Sequence, residues 1–477
     1  MGFWHTLCVH CGVAPSGGPQ EFSDSLSELD EEATKMAAAI AASGLCTLPA
    51  AELQPVVRGA LDAAQDADFP EGLGYGDYAE TFVAVGYWDA HGGDAFFRNL
   101  DKWRIPDGRC AEVRRVCNAD GYGGKFNTRI VAGEDGEERR VNRPTYCDPP
   151  DSPCVFVCER CFYYLKHWID MGELGPLPDR RCAFPNETEP VSFAGELYEI
   201  INVYTGENRE FNSLIEDCID YDGIQNSLQQ CQDALLYDGC WKNMDHTARA
   251  IEQGLRDDDL VPAVMHDIRA WMFMRPDMWP EPPLKIRTPT FTPYAPLAHS
   301  RTPRIATLPL ELLVPLLAAL PLASLLRLSA TCRALRCQLT APALLDAVLR
   351  ASLARGALAW LAPVPGLPDD EMRAARETLC EWLPRGAALG EGADPLAHAA
   401  FPRLAFVAAC CASDSMRSRR RLWGQVRQFA RLWREYRVRG WAHDWFFDSR
   451  ELEGCKDTWV DRPAHWRIDR GEAAADA

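Results

Sequence analysis

The chain has 477 residues, 47% of them hydrophobic, and 15 tryptophans, a composition that supports about two to four folded domains and excludes wholesale disorder. Its formal net charge of −19 excludes general nucleic-acid binding, which depends on a basic surface. No basic stretch followed by an apolar one opens the chain, so no export signal is read there. The 19 cysteines, an odd number, are therefore expected in a reducing compartment, cytoplasmic and/or nuclear, as thiols and metal ligands rather than as disulfides. In such a compartment the Asn186-Glu187-Thr188 sequon is idle.

Residues 1–275 read as a mixed α/β domain rich in aromatic side chains. Cys8-Val9-His10-Cys11 lies at its start and Cys158-Glu159-Arg160-Cys161 further on. Each Cys-x-x-Cys knuckle turns two thiolates toward one point, and two knuckles complete a closed tetrahedral zinc site. Gly12 suits the tight turn such a loop needs. The gap between the pairs is far longer than in a compact zinc ribbon, but loop-closure entropy grows only logarithmically, so a folded insertion is tolerable. Cys110, Cys117, Cys147, Cys154 and Cys182 are alternative partners for the first pair, and reduced buried thiols or a dithiol redox site are the competing readings. Phe82–Tyr87 and Pro153–Val157 read as strands; Glu210–Gln232 and Thr247–Leu255 read as helices. Gly121–Lys125 lacks the Ser/Thr of a phosphate loop and reads as a hairpin turn. His246, His266 and His299 have no partner in the sequence, and solvent-facing or core histidine is the default.

Prolines at 276, 280, 282, 283, 289, 293, 296 and 303 exclude helix and central strand from residues 276–304, leaving a semi-stiff linker. A leucine-rich segment follows. Leu312, Leu313, Leu316, Leu317 and Leu320 recur at helical spacing, Pro315 is expected to kink that helix, and Pro321 to stop it. Ser324 is the expected cap of a second helix carrying Leu325, Leu326, Leu328, Cys332 and Leu335. Thr340 is the expected cap of a third, with Pro342 in its first turn and Leu344, Leu345, Val348, Leu349 and Leu353 on its apolar side. The segment holds more leucine than it can bury within itself. A membrane span over Leu308–Leu326 would place Glu311, prolines and Arg327 at or near lipid; a buried helical hairpin is the other competing reading.

The opening Leu308-Pro309-x-Glu311 and the Ser-x-x-Cys-Arg-x-Leu-Arg pattern of Ser329–Arg336 resemble an F-box over residues 305–353. That resemblance implies a leucine face seated on a Skp-type adaptor of a cullin ubiquitin ligase. Carried residue by residue, the face is Leu308, Pro309, Glu311, Leu312, Leu316, Leu317, Leu320, Leu325, Leu328, Cys332 and Leu335. Met1-Gly2-Phe3-Trp4, Cys8-x-x-Cys11-Gly12 and the Ala412–Trp423 stretch are similar to a group of fungal F-box proteins. Those proteins carry a second ligand pair, often His-x-x-Cys, ahead of a helix, and here Cys158 stands at the His place.

Residues 354–439 read as helical, with helices at Asp369–Trp382, Pro402–Cys411 and Ser415–Arg437. In the last, Leu422, Val426, Phe429, Leu432, Trp433 and Tyr436 are expected inward and the arginines between Arg417 and Arg439 solvated. Residues 440–477 hold an aromatic patch (Trp441, Trp445, Phe446, Phe447) and a frayed end. No G-x-S-x-G elbow, phosphate loop or H-E-x-x-H helix is present. The expectation is an α+β protein: a mixed α/β N-terminal domain with a structural zinc on Cys8, Cys11, Cys158 and Cys161, then an all-helical F-box and C-terminal helices. Its expected function is non-catalytic: docking on the adaptor and recruiting a protein target, without membrane or nucleic acid. The alternatives are a zinc-stabilised interaction scaffold and a thiol redox enzyme using the N-terminal cysteines.

Overall fold

The structure, a computed structural model, describes residues 8–12, 29–66, 81–86, 112–118, 127–131, 138–142, 155–171, short stretches between 193 and 221, and, with few gaps, 244–283 and 305–439. The described chain is predominantly helical. It forms two units, one of Met1–Met274 with Gly424–Ala477, the other of Arg275–Trp423. No described helix is long and apolar enough to cross a membrane.

In the first unit, helices α1 (Leu29–Ser43) and α2 (Ala50–Asp66) pack against each other. Asp30, Glu31 and Glu32 occupy the first turn of α1, where the helix dipole favours negative charge. Ala33, Met36, Ala37 and Ile40 then repeat at i, i+3, i+4 and i+7 and are buried, as are Leu53, Val57, Ala60 and Leu61 of α2. Gly44, at φ 67°, takes the left-handed conformation that closes a helix.

Strands β1 (Thr81–Gly86), β2 (Glu112–Asn118), β3 (Asn127–Val131), β4 (Glu138–Asn142) and β5 (Val155–Cys158) form an antiparallel sheet in the order β4-β3-β2-β1-β5. The two runs expected as strands thus become neighbours, and Val83 of β1 lies opposite Val157 of β5. Helix α3 (Glu159–Met171) starts directly after β5 and packs on β1 and β5, with Phe162, Leu165 and Ile169 buried. Helices α4 (Asp245–Glu252) and α5 (Val261–Asp267) pack together further on. The helix expected over Glu210–Gln232 is a turn where it is described: the N–H groups of Cys218 and Ile219 both donate to the Ile215 carbonyl. The rest of that stretch, Gly121–Lys125, His299 and the 440–477 region lie outside the described residues.

The second unit corrects the leucine segment in one respect: it has four helices rather than three, α6 (Leu310–Ala318), α7 (Leu322–Thr331), α8 (Arg333–Leu339) and α9 (Pro342–Arg355). The expected second helix breaks at Cys332, whose extended backbone (φ −155°, ψ 160°) ends α7 and whose sulfur caps α8 by accepting from the Leu335 N–H. Ser324 lies inside α7, and Pro321 stands at the N-cap position instead. Thr340 does not cap α9 either; its hydroxyl donates back to the Arg336 carbonyl at the end of α8. Pro315 stays within α6.

Leu313, Leu317, Leu339, Leu344 and Val348 form the core of these four helices. Gly356, just past α9, lets the backbones meet: the Ala357 N–H donates to the Ala318 carbonyl at 3.0 Å, and a Cβ on Gly356 would lie 2.3 Å from that carbonyl oxygen. Helices α10 (Asp369–Glu381), α11 (Arg403–Ala412) and α12 (Asp414–Arg439) follow. The start of the proline-rich segment is tied into this unit, with Trp279 donating to the Leu361 carbonyl and Trp382 to the Pro280 carbonyl, both at 2.9 Å.

The basic stripe of α12 is not wholly solvated as expected. Arg419 is fully buried, stacks over Trp279, and donates to the carbonyls of Trp360, Ala362 and Pro276. Loop carbonyls that no ladder satisfies need donors, and one planar guanidinium serves three of them. Arg403 does the same for Leu396 and His398 while pairing with Asp346 at 2.8 Å.

Candidate functional site

Cys8, Cys11, Cys158 and Cys161 converge in the first unit, each completely buried, with their sulfur atoms all within 4.8 Å of one another. Local structure explains why. The Cys8–Cys11 knuckle is a turn closed by the Gly12 N–H, which donates to the Cys8 carbonyl at 2.7 Å; Gly12 itself, at φ 75°, takes the conformation that only glycine adopts freely. Cys158 ends β5 and Cys161 lies in the first turn of α3, so the strand-to-helix junction points both sulfurs one way.

The Cys11–Cys158 sulfur separation is 3.9 Å, far beyond a disulfide bond and close to the edge of about 3.8 Å that tetrahedral zinc–sulfur bonds of about 2.3 Å require. Backbone N–H groups of Cys11 and Cys158 donate to the Cys8 sulfur at 3.5 and 3.2 Å. Burial, reinforced by hydrogen bonding with Cys11, pushes the Cys158 and Cys161 thiols well above their ordinary range. Without a metal, Cys158 and Cys161 therefore favour their protonated form, and a divalent ion would displace those protons. The four thiols fit a metal ion with no open position.

Neighbouring side chains brace the knuckle. Tyr221 donates its hydroxyl to the Val9 carbonyl at 2.7 Å, the His10 Nδ1 lies 3.2 Å from the Cys161 carbonyl, and Phe429 meets the His10 ring edge-on at 6.2 Å. Of the alternative ligands, Cys110, Cys147, Cys154 and Cys182 lie outside the described residues.

The F-box-like face divides in the second unit. Pro309, Glu311, Leu312 and Leu316 are exposed; Leu308, Leu320, Leu325, Leu328 and Cys332 are half-buried; Leu317 and Leu335 are buried. Leu312 and Leu316 form one i, i+4 pair and Leu313 and Leu317 another, about 100° round the helix. The second pair fills the core, and the first stands in solvent at 60% and 43% exposure. Leu310 (60% exposed) and Leu326 (62%) are also exposed. Leu310 was not singled out in the sequence, because it sits two residues ahead of the helical repeat that starts at Leu312.

His246 and His266, unpartnered in the sequence, meet Asp267 in the first unit. The signal was absent from any short motif, because the residues belong to two helices. Asp267 would be raised by burial, but hydrogen bonds with His266 and the Thr247 N–H hold its carboxyl below its usual range.

Comparison with known protein families, curated proteins and solved structures finds no match to this chain.

Proposed function

We propose that this protein is an F-box substrate receptor: its leucine segment docks on a Skp-type adaptor, and the rest of the chain presents a protein target for ubiquitination by a cullin-based ligase. In this reading residues 1–275 are one mixed α/β domain knit by a structural zinc on Cys8, Cys11, Cys158 and Cys161. The protein works in the cytoplasm and/or nucleus and performs no chemistry itself.

The observation that carries the reading is that four leucines of these short helices, Leu310, Leu312, Leu316 and Leu326, stand 43–62% exposed. Leucine exposed to that extent is what an interaction surface offers. Burying each contributes about 1–2 kcal/mol, so the four together only reach the low end of the roughly 4–15 kcal/mol that association costs. Docking therefore also needs the half-buried rim of Leu308, Leu320, Leu325 and Leu328. That these rim leucines pack partly on the segment's own core favours a second reading, a zinc-stabilised scaffold that binds no adaptor. The raised thiols of Cys158 and Cys161 weigh against a redox enzyme, which needs an accessible, low-pKa thiolate.

Co-purification of the full chain with a Skp-type adaptor decides between the two. Capture by the wild type, lost in a folded Leu312→Asp/Leu316→Asp variant, supports the receptor; no capture by the wild type sinks it and leaves the scaffold.

A further inference from the structure

His246 stands in the first turn of α4, and His266 and Asp267 close α5. The packing of these two short helices brings the three side chains together with no help from the cysteine knuckles. The Nδ1 atoms of His246 and His266 lie 3.0 and 3.4 Å from the same oxygen, Oδ1 of Asp267, and the two rings are tilted by 41° with centroids 3.6 Å apart. The other carboxylate oxygen, Oδ2, accepts from the Thr247 backbone N–H at 2.8 Å. That bond fixes the carboxylate so that Oδ1 faces the imidazoles, the kind of support that orients metal ligands.

The spacing carries the argument. Nitrogen and oxygen ligands sit about 2.0–2.2 Å from a late first-row divalent ion, so adjacent ligand atoms are about 2.9–3.4 Å apart around it. The two separations fall on that range, and all three ligand atoms lie within 4.8 Å of one another. Nε2 of His266 is buried and bonds to no described residue, while Nδ1 faces Asp267. Asp267 is nearly sealed at 3% side-chain exposure, whereas His246 at 52% leaves an entry path from solvent.

We infer that His246, His266 and Asp267 form a second, solvent-facing site for a divalent transition cation such as Zn²⁺, Co²⁺ or Ni²⁺. Two imidazoles and one carboxylate suit these ions, and water completes the shell on the open side. The site uses none of the four cysteines, so it stands or falls apart from the structural zinc reading.

Co²⁺ tests it. The full-length protein is dialysed against Co²⁺, its bound metal counted, and its absorption recorded, because thiolate ligation adds intense near-ultraviolet charge transfer that nitrogen and oxygen ligands lack. The expected result is one Co²⁺ per chain beyond any that the sulfur band assigns to the cysteines, its affinity lowered at least about tenfold by His246→Ala, since losing a ligand exceeds losing a ligand's supporting hydrogen bond. His246 is half exposed, so this variant keeps its fold by circular dichroism; His266→Gln is the second variant and lowers affinity likewise. Unchanged Co²⁺ affinity in both folded variants, or a wild type whose only bound Co²⁺ carries the sulfur band, overturns the assignment in favour of a hydrogen-bonded triad.

Discussion

The backbone N–H of Cys158 donates to the sulfur of Cys8 at 3.2 Å, joining two residues 150 positions apart in the chain. This bond ties the end of a strand to the knuckle near the N-terminus, so the cysteine cluster and the sheet edge hold each other. Replacing Cys8 or Cys158 by Ser is expected to remove zinc from the purified protein and to lower its melting temperature. The two losses should occur together, since binding energy at such a site is also folding energy. Metal content and a thermal melt on the same sample check it.

Protonation gives a second test. The Cys158 and Cys161 thiols are raised by burial, so the folded metal-free protein favours their neutral form. Such a group stabilises the fold below its unfolded pKa and loses that contribution as pH rises above it. Chelator-treated protein is therefore expected to lose stability as pH climbs through about 8.5, the ordinary thiol range, while the zinc-loaded protein does not. Zinc affinity itself should weaken as pH falls, because protons then compete for the sulfurs. Denaturant melts and zinc titrations across pH measure both.

Charge substitution at neighbouring leucines should give opposite outcomes. Leu312→Asp and Leu316→Asp place carboxylates in solvent and leave the melting temperature within a few degrees of wild type. Leu317→Asp puts one into the core beside Leu313 and Val348, and is expected to unfold the second unit. Limited proteolysis and circular dichroism separate the two cases.

Gly356→Ala is expected to destabilise the second unit by about 1–3 kcal/mol, the usual penalty for an overpacked contact. The added methyl would press on the Ala318 carbonyl at 2.3 Å and the Ser352 Cα at 2.7 Å, both backbone atoms with little room to give. Urea denaturation reads the loss.

Arg419→Lys tests the buried guanidinium. Lysine keeps the charge, but one ammonium cannot span the three carbonyls that Arg419 serves. A loss of about 2–4 kcal/mol is expected, nearly as large as for Arg419→Met, because acceptors are stranded in both. Thermal melts of the two variants compare them.

The sequence made the cysteine cluster legible because each half is a local motif: two residues of spacing define a knuckle, and only one further pairing is needed. The helical spacing of the leucines was equally plain, but not the direction in which each pair points. Leu312/Leu316 and Leu313/Leu317 are alike in composition, and the choice between them is made by Leu339, Leu344 and Val348, which arrive from later helices. The break at Cys332 was hidden because a cysteine sulfur is a weak acceptor and no capping rule marks it. Arg419 read as solvated for a similar reason: its partners are backbone carbonyls, which have no sequence signature. The His246–His266–Asp267 group was invisible because tertiary packing alone assembles it.

Helix Leu322–Thr331 has no side chain fully out of contact with water. An element so thinly anchored fluctuates open more readily than its neighbours. In the proposed receptor its amide exchange rate would gauge occupancy: slow with a partner across Leu326, fast without one.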